Sequence, residues 1–283
     1  MTIAEALAKA AVALRGASVA EARREAATLL LSLLGCDRTY LFTHDDEALT
    51  PEQVNLFRRW VARRAAGEPA QYVTGRQEFY GLDFEVTPAV LIPRPETELL
   101  IETALELLRG TSAPLVCDVG TGSGCIAITL LHERRDARAV AVDLSPAALR
   151  VAARNAARHG VAARLALVTA DCFSALDPAR AHFDLIASNP PYIAERDVPG
   201  LQREVRDHEP LLALTPGGDG LFVIRRLLAD APPFLASGGH LLVEIGHDQH
   251  AQVTELIDPL TWTLLGIQQD LQGIPRIVAL RGS

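Results

Sequence analysis

The chain has 283 residues, 49% of them apolar, and carries a formal net charge of −8. That length holds one large or two ordinary domains, and no apolar stretch approaches the length of a membrane span. The acidic balance argues against broad, sequence-independent binding to nucleic acid, so DNA is not expected as a direct substrate.

The first residues, Met1-Thr2-Ile3-Ala4-Glu5, lack the basic start and apolar run of a signal peptide, which points to a cytoplasmic protein. Ala, Leu and Val then alternate with Arg and Glu at helical spacing. Ser18 with Glu21 fits a capping box that would start a helix through about Leu34. Thr50-Pro51-Glu52-Gln53 repeats the device and opens a helix to about Ala66 that stops at Gly67. Residues 1–75 therefore predict a small helical domain, in which nine acidic and nine basic residues balance. Arg58, Arg59, Arg63 and Arg64 cluster near its end: a solvated face, or a local contact to an RNA or acidic partner.

Residues 76–94 change character. Phe79, Tyr80, Leu82, Phe84, Val86 and Val90 surround Gly81-Leu82-Asp83, the pattern of a β-hairpin linking two domains. Pro93-Arg94-Pro95 ends the ribbon, and a helix follows from Glu96 to Arg109. Across 95–283, short β-branched runs alternate with helical stretches. Strands are predicted over 115–119, 139–143, 165–169, 183–188, 240–245, 262–268 and 276–280, with helices beginning near Cys125, Pro146, Gly220 and His247. That order predicts an α/β sandwich with a mostly parallel sheet. Cys36, Cys117, Cys125 and Cys172 have no metal-ligand spacing, so reduced thiols and no metal site are expected.

Asp118-Val119-Gly120-Thr121-Gly122-Ser123-Gly124 ends the first long strand and opens a helix. Glycines here permit tight turning and close approach of backbone to a ligand. The spacing is not the usual dinucleotide fingerprint, and the loop has no lysine to grip phosphate. Asp118 is expected to meet the amino-acid end of an adenosine-containing cofactor, directly or through water. Asp143, followed by Leu144, ends the next strand, where a carboxylate accepts both ribose hydroxyls. Asp171 is placed to accept from an adenine amino group, with Cys172 and Phe173 beside the ring.

Asn189-Pro190-Pro191-Tyr192 follows the apolar run 183–188. Two prolines fix φ and remove two donors, which leaves the carbonyls of Asn189 and Pro190 to face a ligand without competing N–H groups. With the Asn189 side chain beside them, the turn suits a planar NH2 held by both hydrogens. Together with the glycine loop, it predicts methyl transfer from S-adenosylmethionine to an NH2 nitrogen.

The chain resembles the protein-(glutamine-N5) methyltransferases that act on peptide-chain release factors, the PrmC/HemK family. The likeness covers nearly the full length, through Phe79-Tyr80-Gly81, the segment from Ile92 to Glu98, the glycine loop, Asn189-Pro190-Pro191-Tyr192-Ile193, Glu204-Val205-Arg206, Glu209-Pro210 and Gly273-Ile274-Pro275-Arg276. It implies a Rossmann-like class I S-adenosylmethionine-dependent methyltransferase sandwich over 95–283. The hairpin linker would span 76–94, and the helical domain, 1–75, would help dock the release factor. It implies methylation of the glutamine in the Gly-Gly-Gln motif of class-1 release factors. Cofactor contacts would come from Gly120 through Gly124, Asp143, Cys172 and Asn189. The substrate glutamine would lie along Asn189, Pro190, Pro191 and Tyr192, with Arg94, Glu96 and Glu98 near by. The Cys172 position is often tryptophan in this family, so a stacking surface is missing there, with Phe173 left beside it.

Asn-Pro-Pro-Tyr also occurs in enzymes that methylate exocyclic amines of DNA bases, which present similar geometry. Such an enzyme is expected to carry a basic surface or a recognition insert, and this acidic chain offers neither. A nonenzymatic release-factor- or ribosome-binding module would have lost Asp143 or Asn189, and both are present.

Overall fold

The computed structural model describes residues 1–283 and divides into two compact units. The first comprises Met1–Arg76 and Gln202–His208; the second comprises Gln77–Leu201 and Glu209–Ser283. Helices run in chain order as α1 (Ile3–Gly16), α2 (Ala22–Leu34), α3 (Arg38–Thr43), α4 (Pro51–Ala65), α5 (Ala70–Thr74), α6 (Glu98–Leu107), α7 (Cys125–Glu133), α8 (Pro146–Arg158), α9 (Arg203–His208), α10 (Leu211–Leu214), α11 (Phe222–Asp230) and α12 (His250–Leu256). Strands are β1 (Arg76–Phe79), β2 (Leu82–Glu85), β3 (Leu115–Val119), β4 (Arg138–Asp143), β5 (Leu165–Thr169), β6 (Phe183–Ser188), β7 (Leu235–Glu244), β8 (Trp262–Gln269) and β9 (Pro275–Gly282). No helix is long and apolar enough to cross a membrane.

In the helical unit, α1 and α4 begin with full capping boxes, Thr2 with Glu5 and Thr50 with Gln53. The box expected at Ser18 and Glu21 does not form. Both residues have positive φ (59° and 53°), and Glu21 occupies the cap position of α2 in a left-handed conformation with no side-chain bond. Tight turning after α1 takes precedence there over capping chemistry. Ile3, Leu14, Leu29, Leu30 and Phe57 form the centre of this unit. Arg64 is buried and bonded to Glu25 and Glu204, both at 2.7 Å, which ties α4 to α2 and to the sequence-distant α9. Arg63 pairs with Glu68 and also donates to the carbonyls of Tyr72 and Val73. Arg63 and Arg64 are therefore held in ion pairs, Arg63 while still exposed, and Arg58 and Arg59 are exposed as well.

In the second unit the hairpin is shorter than expected and turns at Tyr80-Gly81, not at 81–83. Both residues have positive φ (51° and 73°), the requirement of the two-residue turn whose twist matches its strands. The main sheet has seven strands in the order β5-β4-β3-β6-β7-β9-β8. Its first five are parallel, while β9 runs antiparallel to both neighbours. Alternate residues feed opposite cores: Leu185 and Ala187 pack with α6 and α7 residues, and Ile186 packs with Ile224 and Leu227 of α11. This double burial explains the largely apolar runs in the parallel strands. β7 starts five residues before its expected position, because Gly238-Gly239 stays within the strand at an irregularity opposite Phe183 and Leu185.

β3 pairs with β4 on one side and with β6, which lies beyond β5 in sequence, on the other. The connections diverge there, and the crevice at the carboxyl ends of such strands is where open α/β sheets bind ligands.

Candidate active site

A cavity of about 410 Å³ opens at this crevice, within the range of roughly 300–1,000 Å³ typical of small-molecule sites. The carboxyl ends of four successive strands supply its wall: Gly120 to Ser123 after β3, Asp143 and Leu144 from β4, Asp171 and Cys172 beyond β5, and Asn189 to Pro191 after β6. Residues spread over seventy positions of sequence thus meet because parallel strands end on one edge.

The glycine loop is anchored to the neighbouring strand. The N–H groups of Gly120 and Thr121 both donate to the Val142 carbonyl, at 2.8 and 3.0 Å, and that of Gly122 donates to Asp143 Oδ2 at 2.8 Å. Gly120 and Gly122 have φ of +78° and +54°, and a Cβ on either would meet no protein atom within 4 Å. These two glycines leave open space on the cavity wall. At Gly124 the reason for glycine differs: a Cβ would lie 2.7 Å from Ile128 Cδ1, so the residue serves packing at the start of α7.

Asp118 does not line the cavity. It is fully buried behind the loop, where Oδ2 accepts from Thr121 Oγ1 (2.7 Å) and the Ala127 N–H (3.1 Å), while Oδ1 has no partner. Burial is the main cause that pushes its carboxyl up to about 7, against those two bonds. Asp143 accepts from Gly122 with one oxygen and from the Ser145 N–H (2.8 Å) with the other, and burial again raises its pKa. Its position on the wall leaves the remaining lone pairs for a ligand.

Asp171 reaches the cavity already paired, 2.6 Å from Arg226. Cys172 is buried with φ of +48° and lines the wall. Phe173 does not. It stacks on Phe234 with centroids 4.8 Å apart, inside the core, so it offers no ring surface to a ligand. The aromatic side chain on the wall is Phe222 of α11, with the Arg226 guanidinium 5.9 Å from its ring centroid. Nothing in the local sequence marks Phe222, because α11 is placed there only by the packing of the sheet.

Arg94 lines the cavity but is paired with Glu209, whose side chain is buried and also accepts from the Ile92 N–H at 3.2 Å. Arg94 therefore braces the segment from Pro210 to Pro216, five residues of which join the wall. Both cations of the cavity, Arg94 and Arg226, are neutralised by carboxylates, which leaves no free positive charge to hold a phosphate.

Asn189 lines the cavity beyond the end of β6. Its Nδ2 donates to Thr97 Oγ1 at 2.9 Å, and that hydroxyl donates to Glu244 Oε2 at 2.7 Å. A hydroxyl has one proton, and Thr97 gives it to the carboxylate, so Thr97 can only accept from Asn189. The Asn189 Oδ1 is thereby left as an acceptor. Tyr192 does not line the cavity: it packs in the core, with its hydroxyl 3.4 Å from Glu244 Oε1, and burial raises the pKa of its phenol. Its carbonyl accepts from Gln249 Nε2 at 2.9 Å. Glu98 is also off the wall and accepts the Tyr80 N–H at 2.8 Å. Thr97, Glu244 and Gln249 join Phe222 and Arg226 as residues that sequence reasoning missed. Thr97 lies in the quoted segment from Ile92 to Glu98, but only the fold reveals its bond.

Known proteins match the sequence of this chain along nearly its whole length. Residues 5–75 match the PrmC N-terminal domain, and residues 95–225 match the methyltransferase small domain. A release factor glutamine methyltransferase of Koribacter versatilis is 46% identical over 281 residues, covering 99% of both chains. The chain belongs to the release factor glutamine methyltransferase family. A second member, from Nitratidesulfovibrio vulgaris, is 46% identical over 270 residues, covering 95% of this chain and 91% of that one. Among solved structures, the hMettl16 catalytic domain in complex with MAT2A 3′UTR hairpin 6 shares the fold. Its TM-score is 0.58 at 17% identity, over 83% of this chain and 82% of that one. A methyltransferase from Pyrococcus furiosus gives a TM-score of 0.51 at 16% identity, over 80% and 98%. Methyltransferases of this family use S-adenosylmethionine, and the wall fits it: open space over two glycines, an Asp143 carboxylate for hydroxyls, and no free cation to favour a phosphate.

Proposed function

We propose that this protein transfers the methyl group of S-adenosylmethionine to the side-chain amide nitrogen of the glutamine in the Gly-Gly-Gln motif of class-1 peptide chain release factors. The observation that carries this reading is the Asn189 amide, whose NH2 is committed to Thr97 while its oxygen remains as an acceptor on the cavity wall. The family's named substrate, a release factor glutamine, carries the NH2 group that such a site would receive.

An amide nitrogen is a poor nucleophile because its lone pair is shared with the carbonyl. Asn189 Oδ1 and the Pro190 carbonyl would accept its two hydrogens, which orients the nitrogen and enriches it in electrons. The prolines contribute by removing N–H groups that would otherwise compete. As the nitrogen becomes positive, the same acceptors stabilise it more strongly than they stabilise the ground state. When bound, S-adenosylmethionine supplies a methyl on a sulfonium, which is a strong leaving group. Asp143 would hold its ribose hydroxyls, and Gly120 to Ser123 would let it lie close to the backbone. Alignment and exclusion of water are then the main tasks of the protein. The extra proton on nitrogen can leave after transfer. The helical unit is assigned to docking of the release factor, for which exposed Arg58 and Arg59 offer charge to an acidic surface.

Mass spectrometry of a purified release factor incubated with the protein and labelled S-adenosylmethionine tests this, with duplex DNA in parallel. One added methyl on the Gly-Gly-Gln glutamine, lost in Asn189→Ala, is expected. Methyl incorporation only into DNA would reject the substrate.

A further inference from the structure

We propose that Glu244 is a positioning residue: acting through Thr97, it decides which end of the Asn189 amide faces the cavity. The proposal rests on the reading above, in which Asn189 must present an acceptor. An asparagine side chain is nearly symmetric in shape, so packing alone does not choose between its oxygen and its NH2. The choice comes from the polarity of a hydrogen-bond chain, and that polarity must be fixed at one end by a group that can only accept.

An ionised carboxylate is such a group. Glu244 lies at the end of β7, buried at 1% exposure, and receives the Thr97 hydroxyl proton at 2.7 Å. Thr97 is itself 2% exposed, and Asn189 donates to it at 2.9 Å. The second Glu244 oxygen faces the Tyr192 hydroxyl at 3.4 Å. One buried carboxylate therefore reaches both ends of the Asn-Pro-Pro-Tyr turn, Tyr192 directly and Asn189 through Thr97. A structural role alone needs neither the charge nor the direction of the Thr97 bond.

The device is reversible by protonation. A neutral Glu244 can donate to Thr97, which then donates to Asn189 Oδ1, and the amide turns its NH2 to the cavity. A donor there would block the substrate nitrogen. Burial is the largest cause that raises the Glu244 carboxyl to about 7. Glu96 pushes in the same direction, while Arg276 and the bonds from Thr97 and Tyr192 oppose it, and Cys125 also feels its charge. The acceptor-presenting form is populated above that value and lost as pH falls through it.

The test combines a spectrum and a rate. In protein labelled with ¹⁵N at asparagine, the side-chain NH2 of Asn189, assigned by its absence in Asn189→Ala, is followed from pH 5.5 to 8.5. A shift with a midpoint near 7 is expected, and it should vanish in Glu244→Gln. Methyl transfer to release factor is followed over the same range. The wild type should show an acid limb that Glu244→Gln lacks, with kcat at high pH reduced about 10-fold or more, the usual scale for a misplaced reacting group. Thr97→Val should behave like Glu244→Gln, and Thr97→Ser should stay within about 3-fold of wild type, since it keeps the hydroxyl. An Asn189 signal that does not titrate in the wild type, or Thr97→Val as active as Thr97→Ser, overturns the proposal. A titrating signal in a protein that methylates no release factor would support the Glu244 device and reject the substrate reading instead.

Discussion

Gly220 offers a direct measure of how tightly the Asn-Pro-Pro-Tyr turn is held from outside the cavity. Its φ is +82°, and a Cβ built there would lie 2.3 Å from the Tyr192 carbonyl oxygen and 3.0 Å from the Ala194 nitrogen. The atoms in the way are backbone, so no side chain can swing aside. Relief requires the 192–194 segment to retreat by about 1 Å, since real Cβ contacts lie beyond 3.0 Å. The Tyr192 carbonyl also accepts Gln249 Nε2 at 2.9 Å, and that bond would be strained by the same movement. For Gly220→Ala, the left-handed conformation costs about 1–2 kcal/mol and the overpacking a further 1–3 kcal/mol. A destabilisation of about 2–5 kcal/mol would lower the melting temperature by roughly 5–15 °C. A shift of about 1 Å in the turn proposed to hold the substrate amide costs on the order of 100-fold in rate. Below the melting transition, kcat for release factor methylation should therefore fall by about 10- to 100-fold. The S-adenosylmethionine affinity, measured by calorimetry, should change by less than about 3-fold, because the glycine loop and Asp143 lie on other strands. Full activity with unchanged melting would refute the argument that this glycine sets the position of the turn.

Asp143→Asn should weaken S-adenosylmethionine binding by about 10- to 100-fold, the worth of one charged hydrogen bond; a calorimetric affinity within 2-fold of wild type would remove Asp143 from the ribose site. Arg64→Met leaves Glu25 and Glu204 without their cation and should destabilise the helical unit by about 2–4 kcal/mol, below the full cost of a broken buried pair because both glutamates are partly exposed. Hydrogen exchange of the intact chain should then accelerate in α2 and α4, with the sheet unaffected. Asp118 and Glu244 both have carboxyl pKa values raised to about 7 in the folded protein. The native state thus holds protons that the unfolded chain has released, and stability falls as pH rises to about 7, from about 3.8 for Asp118 and about 4.5 for Glu244, by up to about 1.4 kcal/mol per unit and per group. His240, lowered by burial, contributes in the opposite sense. Urea unfolding of wild type and Glu244→Gln at pH 5 and pH 8 isolates the Glu244 share: the loss between the two pH values should be smaller in the variant by on the order of 2–3 kcal/mol.

The sequence alone determined the fold class and the two motifs that frame the cavity. Apolar runs of five or six residues separated by helical periodicity can bury both faces only as parallel strands between helices. Local rules also sufficed for the Thr50 cap, for the start of α8 at Pro146 and for the glycines that need positive φ. They failed where a competing geometry took over, as at Ser18 and Glu21, where the turn overrode the cap, and at Gly238-Gly239, where sheet pairing held two glycines in a strand. The tertiary structure alone decided which of the marked residues reach the wall. Asp118, Phe173, Tyr192 and Glu98 are adjacent in sequence to wall residues, yet each is held away from the wall by a partner of its own: Thr121 and the Ala127 N–H for Asp118, Phe234 for Phe173, Glu244 for Tyr192 and the Tyr80 N–H for Glu98. It also decided the partners. Thr97 and Glu244 are 147 residues apart, and Arg94 and Glu209 are 115 apart. No spacing rule connects such pairs; the order of strands in the sheet brings them together. The direction of the Asn189 amide belongs to that second kind of information, since it is set by a carboxylate two bonds away on another strand.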